Sequence, residues 1–214
     1  MLIDNITRKQ FLRLAGLSAS LIVASRTAWA DDGKITREMV FNDPGSPTSG
    51  NPKGDITIVD FFDYNCPYCK ESEQALDEVV KKDGNVRVAY KDWPILSETS
   101  VIGARLALGA NYQGKYLGAH NALMQLPGED VPQGFMIDAV KGAGVDMTRL
   151  DADMAKHSDE ILAQMKKNQA VALAVGFQGL PATLVGVFKV NAALDEKGFR
   201  QVIADARARQ RTMR

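Results

Sequence analysis

The only two cysteines of this 214-residue chain stand three apart, in Cys66-Pro67-Tyr68-Cys69. They closely follow the apolar run Ile56-Thr57-Ile58-Val59-Asp60-Phe61-Phe62. An apolar, β-branched run of this length reads as a buried strand. Residues 70–82 then carry Leu76, Val79 and Val80 on one helical face, with charges elsewhere. The pair therefore falls where a strand turns into a helix, with Cys66 at or near the helix N-terminus. Unpaired N–H groups and the positive end of the helix dipole favour a thiolate there. A thiolate is the nucleophile of disulfide exchange, and a second thiol one turn further on can resolve the mixed disulfide.

Two other uses of the pair compete with redox chemistry. A structural bridge closing so short a loop stabilises by only about 2 kcal/mol on the chain-entropy model, and a chain of this length can build a core without it. Structural zinc takes four ligands, commonly two such pairs. Here only His120 and His157 remain, far off in sequence and without ligand spacing. Redox chemistry is the favoured use, and no metal or organic cofactor is expected beside the Cys66–Cys69 disulfide.

Residues 1–30 read as a cleaved export signal. Arg8, Lys9 and Arg13 form a basic start, residues 14–24 an apolar stretch too short to span a bilayer, and Ala28-Trp29-Ala30 a small-residue cleavage site. Thr7-Arg8-Lys9-Gln10-Phe11-Leu12 resembles a twin-arginine signal with Lys9 in place of the second arginine, which leaves the export route open. Removing these residues takes four basic and one acidic group from a chain of 26 and 26, leaving a net charge of −3. That near-neutral balance gives no electrostatic footprint for nucleic acid. Export places the cysteines where disulfides persist. An exported protein with one C-x-x-C pair and no other cysteine fits a handler of other proteins' disulfides.

Residues 31–55 are polar and broken by prolines and glycines, with a short strand expected at Met39-Val40-Phe41. A strand at 56–62, a helix at 66–82 and an alternating strand at 86–92 make a β-α-β unit. Residues 97–177 are helical throughout, in five segments broken at glycines and prolines. A turn and strand at 179–186, a short return strand at 188–190 through Gly186-Val187, and an amphipathic helix at 195–210 complete the chain. The basic end of that helix, including Arg207, reads as a solvated tail.

This order, with C-x-x-C at the first strand-helix junction, resembles the thioredoxin fold carrying a helical insertion, the architecture of the DsbA-like thiol:disulfide oxidoreductases. The segment Phe61-Phe62-Asp63-Tyr64-Asn65-Cys66-Pro67-Tyr68-Cys69-Lys70 is similar to the periplasmic branch that includes ScsC-type proteins. Asn51-Pro52-Lys53-Gly54-Asp55 and Pro94-Ile95-Leu96 resemble that branch too. The resemblance implies an α/β fold with the thioredoxin-like domain at 31–96 and 178–214 and the helical insertion at 97–177. It gives Cys66 the part of exposed nucleophile and Cys69 that of resolving thiol, with Pro67 and Tyr68 between them. Asp60 matches the buried acid that moves protons for Cys69, with Lys91 as its charge partner. Pro181 matches the cis-proline facing the pair, and Leu180 before it touches the substrate chain. Tyr64 is a candidate to line the substrate groove; His120 and His157 read as surface or helix-packing residues.

The implied partners are cysteine-containing exported proteins and a membrane redox protein that resets the pair. Tyr68 stands where the best-known oxidases have histidine. That implies a less stabilised thiolate and a potential between roughly −120 and −230 mV. Residues 31–40 are too short for an oligomerising helical arm, so a monomer is expected. An isomerase or reductase, as in ScsC-type relatives, is the first alternative. A metal-tolerance protein holding Cu(I) on Cys66 and Cys69 is the second.

Overall fold

The computed structural model describes residues 34–213; the export signal expected at 1–30 lies outside the described residues. In chain order, α1 (Arg37–Phe41) and β1 (Thr48–Gly50) precede the central strand β2 (Ile56–Phe62). The crossover helix α2 (Pro67–Asp83) leads to β3 (Val86–Asp92). Five helices follow: α3 (Glu98–Asn111), α4 (Tyr116–Met124), α5 (Gln133–Gly142), α6 (Met147–Lys156) and α7 (Ser158–Val175). Then come β4 (Ala182–Val185), β5 (Phe188–Val190) and α8 (Glu196–Thr212).

The sheet order is β1-β3-β2-β4-β5. β2 runs parallel to β3 and antiparallel to β4, and core clusters on either side of the sheet bury both its faces. That is why its sequence is nearly continuous in apolar residues instead of alternating. The parallel β2–β3 pair requires a long crossover, which α2 supplies. Gly84 ends α2 in the left-handed region at φ 70°, its N–H returning to the Val80 carbonyl.

Register decides what shares a face. Asp60 lies opposite Tyr90 on one side and Thr183 on the other, and Phe61 opposite Lys91 and Ala182. Ile56, Ile58 and Phe62 thus share Asp60's face, where they pack with Leu76 and Val79 of α2, Phe199 and Ile203 of α8, and Leu123 of α4. Val59 and Phe61 share the opposite face with Ala89, Trp93, Val171 of α7, Phe177 and Val40 of α1.

Three expectations require correction. Residues 39–41 are helical, because Thr36 caps the turn through the Met39 N–H and rolls Val40 into the second core cluster. Three apolar residues are too few for periodicity to separate helix from strand. The strand in this region is β1, whose Thr-Ser-Gly sequence carries no strand signal and which forms by pairing with the edge of β3. Arg207 is not a solvated tail residue: its guanidinium holds Asp83 at 2.7 and 2.8 Å and Asp55 at 2.8 Å through two nitrogens. It thereby ties α8 to the end of α2 and to the approach to β2.

Candidate active site

Cys66 is the N-cap of α2. Its backbone is extended, and its sulfur accepts the Cys69 N–H at 3.1 Å. Pro67 occupies the first helical turn, where its missing N–H costs nothing. Both thiols are free and buried, at 4% exposure for Cys66 and 2% for Cys69. The exposed nucleophile expected at Cys66 is therefore a sulfur set into the wall of a groove. That groove, about 520 Å³, is lined by Cys66, Pro67, Tyr68, Ile95, Leu96 and Leu180, among others. Tyr68, Ile95 and Leu96 stand exposed on its rim.

The two sulfurs are treated in opposite ways. A hydrogen bond from the Cys69 thiol does most to hold Cys66 below the ordinary thiol value; burial opposes this, and the Cys69 N–H adds to it. Burial, then the hydrogen bond to Cys66 and its charge, push Cys69 far above that value. Of the two sulfurs, the one at the groove is favoured as the thiolate and the one beneath it as the thiol.

The turn before the pair is fixed by two side chains that sequence reasoning passed over. Asp63 accepts the Asn65 N–H at 2.8 Å, and its other oxygen accepts the Ile95 and Leu96 N–H groups at 2.8 and 3.0 Å. The Asn65 amide donates to Ser97 at 2.9 Å and Thr99 at 2.7 Å, while its carbonyl accepts the Val131 N–H at 2.9 Å. Short polar side chains before a helix are turn signals, but their distant partners lie 32 to 66 positions away and only the fold reveals them. Lys70, at 8% exposure, donates to the Gly128 carbonyl at 2.8 Å.

Asp60 lies within the sheet at 6% exposure, and its carboxylate accepts the Thr183 hydroxyl at 2.9 Å. Burial, then the nearby Glu73 charge, raise its pKa from 3.8 to about 8; the Thr183 bond opposes them. Each of the two cysteines is within electrostatic reach of it. Lys91 is not its partner. Lys91 belongs to the other face of the sheet, where its ammonium donates to the Met39 carbonyl at 2.9 Å and to Asp43 at 3.3 Å. Residues 60 and 91 are one step out of register, and one step reverses the face.

On Asp60's own face stands His120, which is wholly buried. One ring nitrogen meets the Tyr64 hydroxyl at 3.0 Å and the other meets Glu73 of α2 at 3.2 Å. Tyr64, also buried, does not line the groove. His157 instead stacks on Tyr112 at 4.0 Å, at the junction of α6 and α7. Among the described residues no group of three or more His, Cys, Asp or Glu is arranged to hold a metal ion.

Leu180 and Pro181 are joined by a cis peptide bond. Pro181 is buried at the head of β4, and Gln178, Gly179 and Leu180 line the groove opposite the pair. The structure thus brings Cys66, Cys69, Asp60, Pro67, Tyr68, Leu180 and Pro181 into one region and leaves Lys91 outside it.

A family model described as thioredoxin matches residues 42–205. The chain belongs to the thioredoxin family. Its fold is similar to that of a thioredoxin-like oxidoreductase from Silicibacter pomeroyi, with a TM-score of 0.76 at 38% identity over 81% of this chain and 99% of that one. The catalytic domain of Proteus mirabilis ScsC matches with a TM-score of 0.72 at 26% identity, over 80% of this chain and 94% of that one. The thiol:disulfide interchange protein DsbA of Burkholderia cepacia is 37% identical over 100 residues, 44% of each chain. The chain also matches Na(+)/H(+) antiporter NhaA 1 proteins of Mycobacterium at 24% identity, spanning only 22% of their length. No helix among the described residues is long and apolar enough to cross a membrane.

Proposed function

We propose that this chain is a periplasmic protein thiol:disulfide oxidoreductase that oxidises exported proteins through Cys66 and Cys69. The observation that carries the reading is the opposite treatment of two thiols three residues apart, one favoured as a thiolate beside a groove and the other held protonated below it. Stabilising the Cys66 thiolate stabilises the reduced protein, which makes the disulfide the better oxidant.

In the oxidising direction a substrate thiolate attacks the Cys66 sulfur of the Cys66–Cys69 disulfide. The S–S bond breaks and its electron pair leaves on Cys69. Asp60, largely protonated below about pH 8, returns a proton to that sulfur. A second substrate thiolate then attacks the substrate sulfur of the mixed disulfide, and Cys66 leaves as the thiolate. The substrate has lost two electrons and the pair has gained them; a membrane redox protein removes them and resets the disulfide. The groove, with Leu180 and Tyr68 on its walls, holds the substrate chain beside Cys66. The reverse sequence makes the same residues a reductase or isomerase.

Replacing Cys69 by alanine removes the resolving thiol, so the variant should accumulate mixed disulfides through Cys66 with envelope proteins. These are visible as thiol-sensitive bands on a non-reducing gel and lost in Cys66→Ala/Cys69→Ala. Stoichiometric copper binding by the reduced protein, with no mixed disulfide and no turnover of a dithiol peptide, would replace this reading with metal binding.

A further inference from the structure

The face of the sheet that carries Asp60 holds a buried ionisable cluster that the exchange steps above do not use. Glu73 and His120 are 4% and 0% exposed and meet at 3.2 Å. His120 comes from α4, in the helical segment between β3 and β4; Glu73 comes from α2, one turn beyond Cys69. The imidazole lies against Phe62 at 4.8 Å and Tyr90 at 4.7 Å between ring centroids. Phe62 is two residues from Asp60 on the same face, and Tyr90 is Asp60's register partner on β3. The cluster is closed by Tyr64, by Tyr116 stacked on His120 at 5.6 Å, and by Asp92, which accepts the Tyr116 hydroxyl at 2.8 Å. Asp77 of α2 lies further along the same helix.

So many carboxyls beneath one sheet face need a counter-charge. The buried lysines are committed elsewhere: Lys91 to Asp43 on the opposite face, Lys70 to the Gly128 carbonyl. His120 is the group placed to supply it. We propose that Glu73 and His120 form a positioning pair for disulfide exchange, with the His120 cation setting how firmly Asp60 holds the proton that Cys69 needs. The pair touches neither the sulfurs nor the groove; it acts through Asp60, and the inference rests on the proton-transfer role given to that residue above.

The directions are consistent on both sides. Burial alone would lower the His120 pKa, but Glu73, then Asp92 and Asp60, outweigh it and raise it. The His120 charge lowers that of Asp60, against burial and Glu73. Neutralising His120 should therefore raise Asp60's proton affinity.

The test is the pH profile of dithiol-peptide oxidation, corrected for ionisation of the peptide thiols. It is measured for the oxidised wild type, His120→Gln, Glu73→Gln/His120→Gln and Asp60→Asn. The alkaline limb should move up by about one pH unit in His120→Gln. It should return toward the wild-type position in the double variant, which removes both opposite charges. A limb that vanishes in Asp60→Asn but stays put in the other two would overturn the positioning pair alone. A limb unmoved by Asp60→Asn would overturn the role of Asp60 itself. Nitrogen NMR of the wild type is independent of variant folding: the His120 ring should carry both protons through neutral pH, and a neutral ring there overturns the inference.

Discussion

Cys66 and Cys69 differ chemically because one caps a helix beside a groove and the other is sealed within its first turn. Between them, the Tyr68 side chain is 63% exposed and lends neither charge nor hydrogen bond to either sulfur; only its backbone N–H helps to lower Cys66. Tyr68→His places a cation beside the Cys66 thiolate without disturbing the core. Cys66 should titrate lower and the potential should rise by about 30 mV for each unit by which its pKa falls, the equivalence for a two-electron couple. Iodoacetamide reactivity against pH and a redox titration read the two effects together; a potential that falls would contradict it. At this scale the placement of Cys66, Cys69 and Asp60 was legible, since a strand acid and a C-x-x-C pair at a strand-helix junction sit in one short segment of chain. Lys91 was misread because sequence distance says nothing about faces. Glu73 and His120 were invisible as a pair because 47 positions separate them and a helix packing decides their meeting.

The elements are held about the site by few side chains. Asn65 joins the C-x-x-C turn to the start of α3 and to Val131, and its amide is wholly satisfied in doing so. Asn65→Ala leaves the Val131 N–H without its acceptor and should destabilise the fold by about 2–3 kcal/mol. Urea denaturation with an unchanged m-value would measure it; a loss below half a kcal/mol would mean water replaces the clamp. The β-α-β unit, the five helices and the final hairpin follow from apolar periodicity and from glycine and proline breaks. β1 and α1 do not. Both are too short to carry a period, and each is made by what it packs against: the edge of β3 for β1, and the Phe61 and Trp93 face for α1.

Across the whole molecule the buried charges set a pH preference. Asp60 is raised from 3.8 to about 8 and Asp92 from 3.8 to about 6, each chiefly by burial; His120 is raised above 6.5, Glu73 outweighing its burial. A raised group contributes stability that is fully present below its unfolded value and is lost as pH rises through its folded value. All three therefore weaken the fold as pH increases, Asp60 between about pH 4 and 8, Asp92 between about pH 4 and 6, and His120 from about 6.5 upward. Asp43 has the opposite sign. Burial opposes its ionisation, but Gln164, Lys167 and Lys91 hold it well below 3.8, so its contribution is lost in acid. The urea midpoint of the reduced protein should be highest near pH 4, by the balance of these windows, and should fall toward pH 8. Asp60→Asn should flatten that fall, and a midpoint rising steadily to pH 8 would show that these carboxyls ionise as readily in the fold as in the unfolded chain.

All of these properties serve a single claim, that Cys66 and Cys69 exchange disulfides as one unit. Equilibrating the purified protein in glutathione buffers of graded ratio, trapping the thiols and counting them tests it most directly. One two-electron transition is expected, in which both cysteines titrate together, at a potential near or above that of the glutathione pool. Two independent one-thiol transitions, or a potential far below glutathione, would contradict it: the first by dissolving the pair, the second by making the protein a reductant.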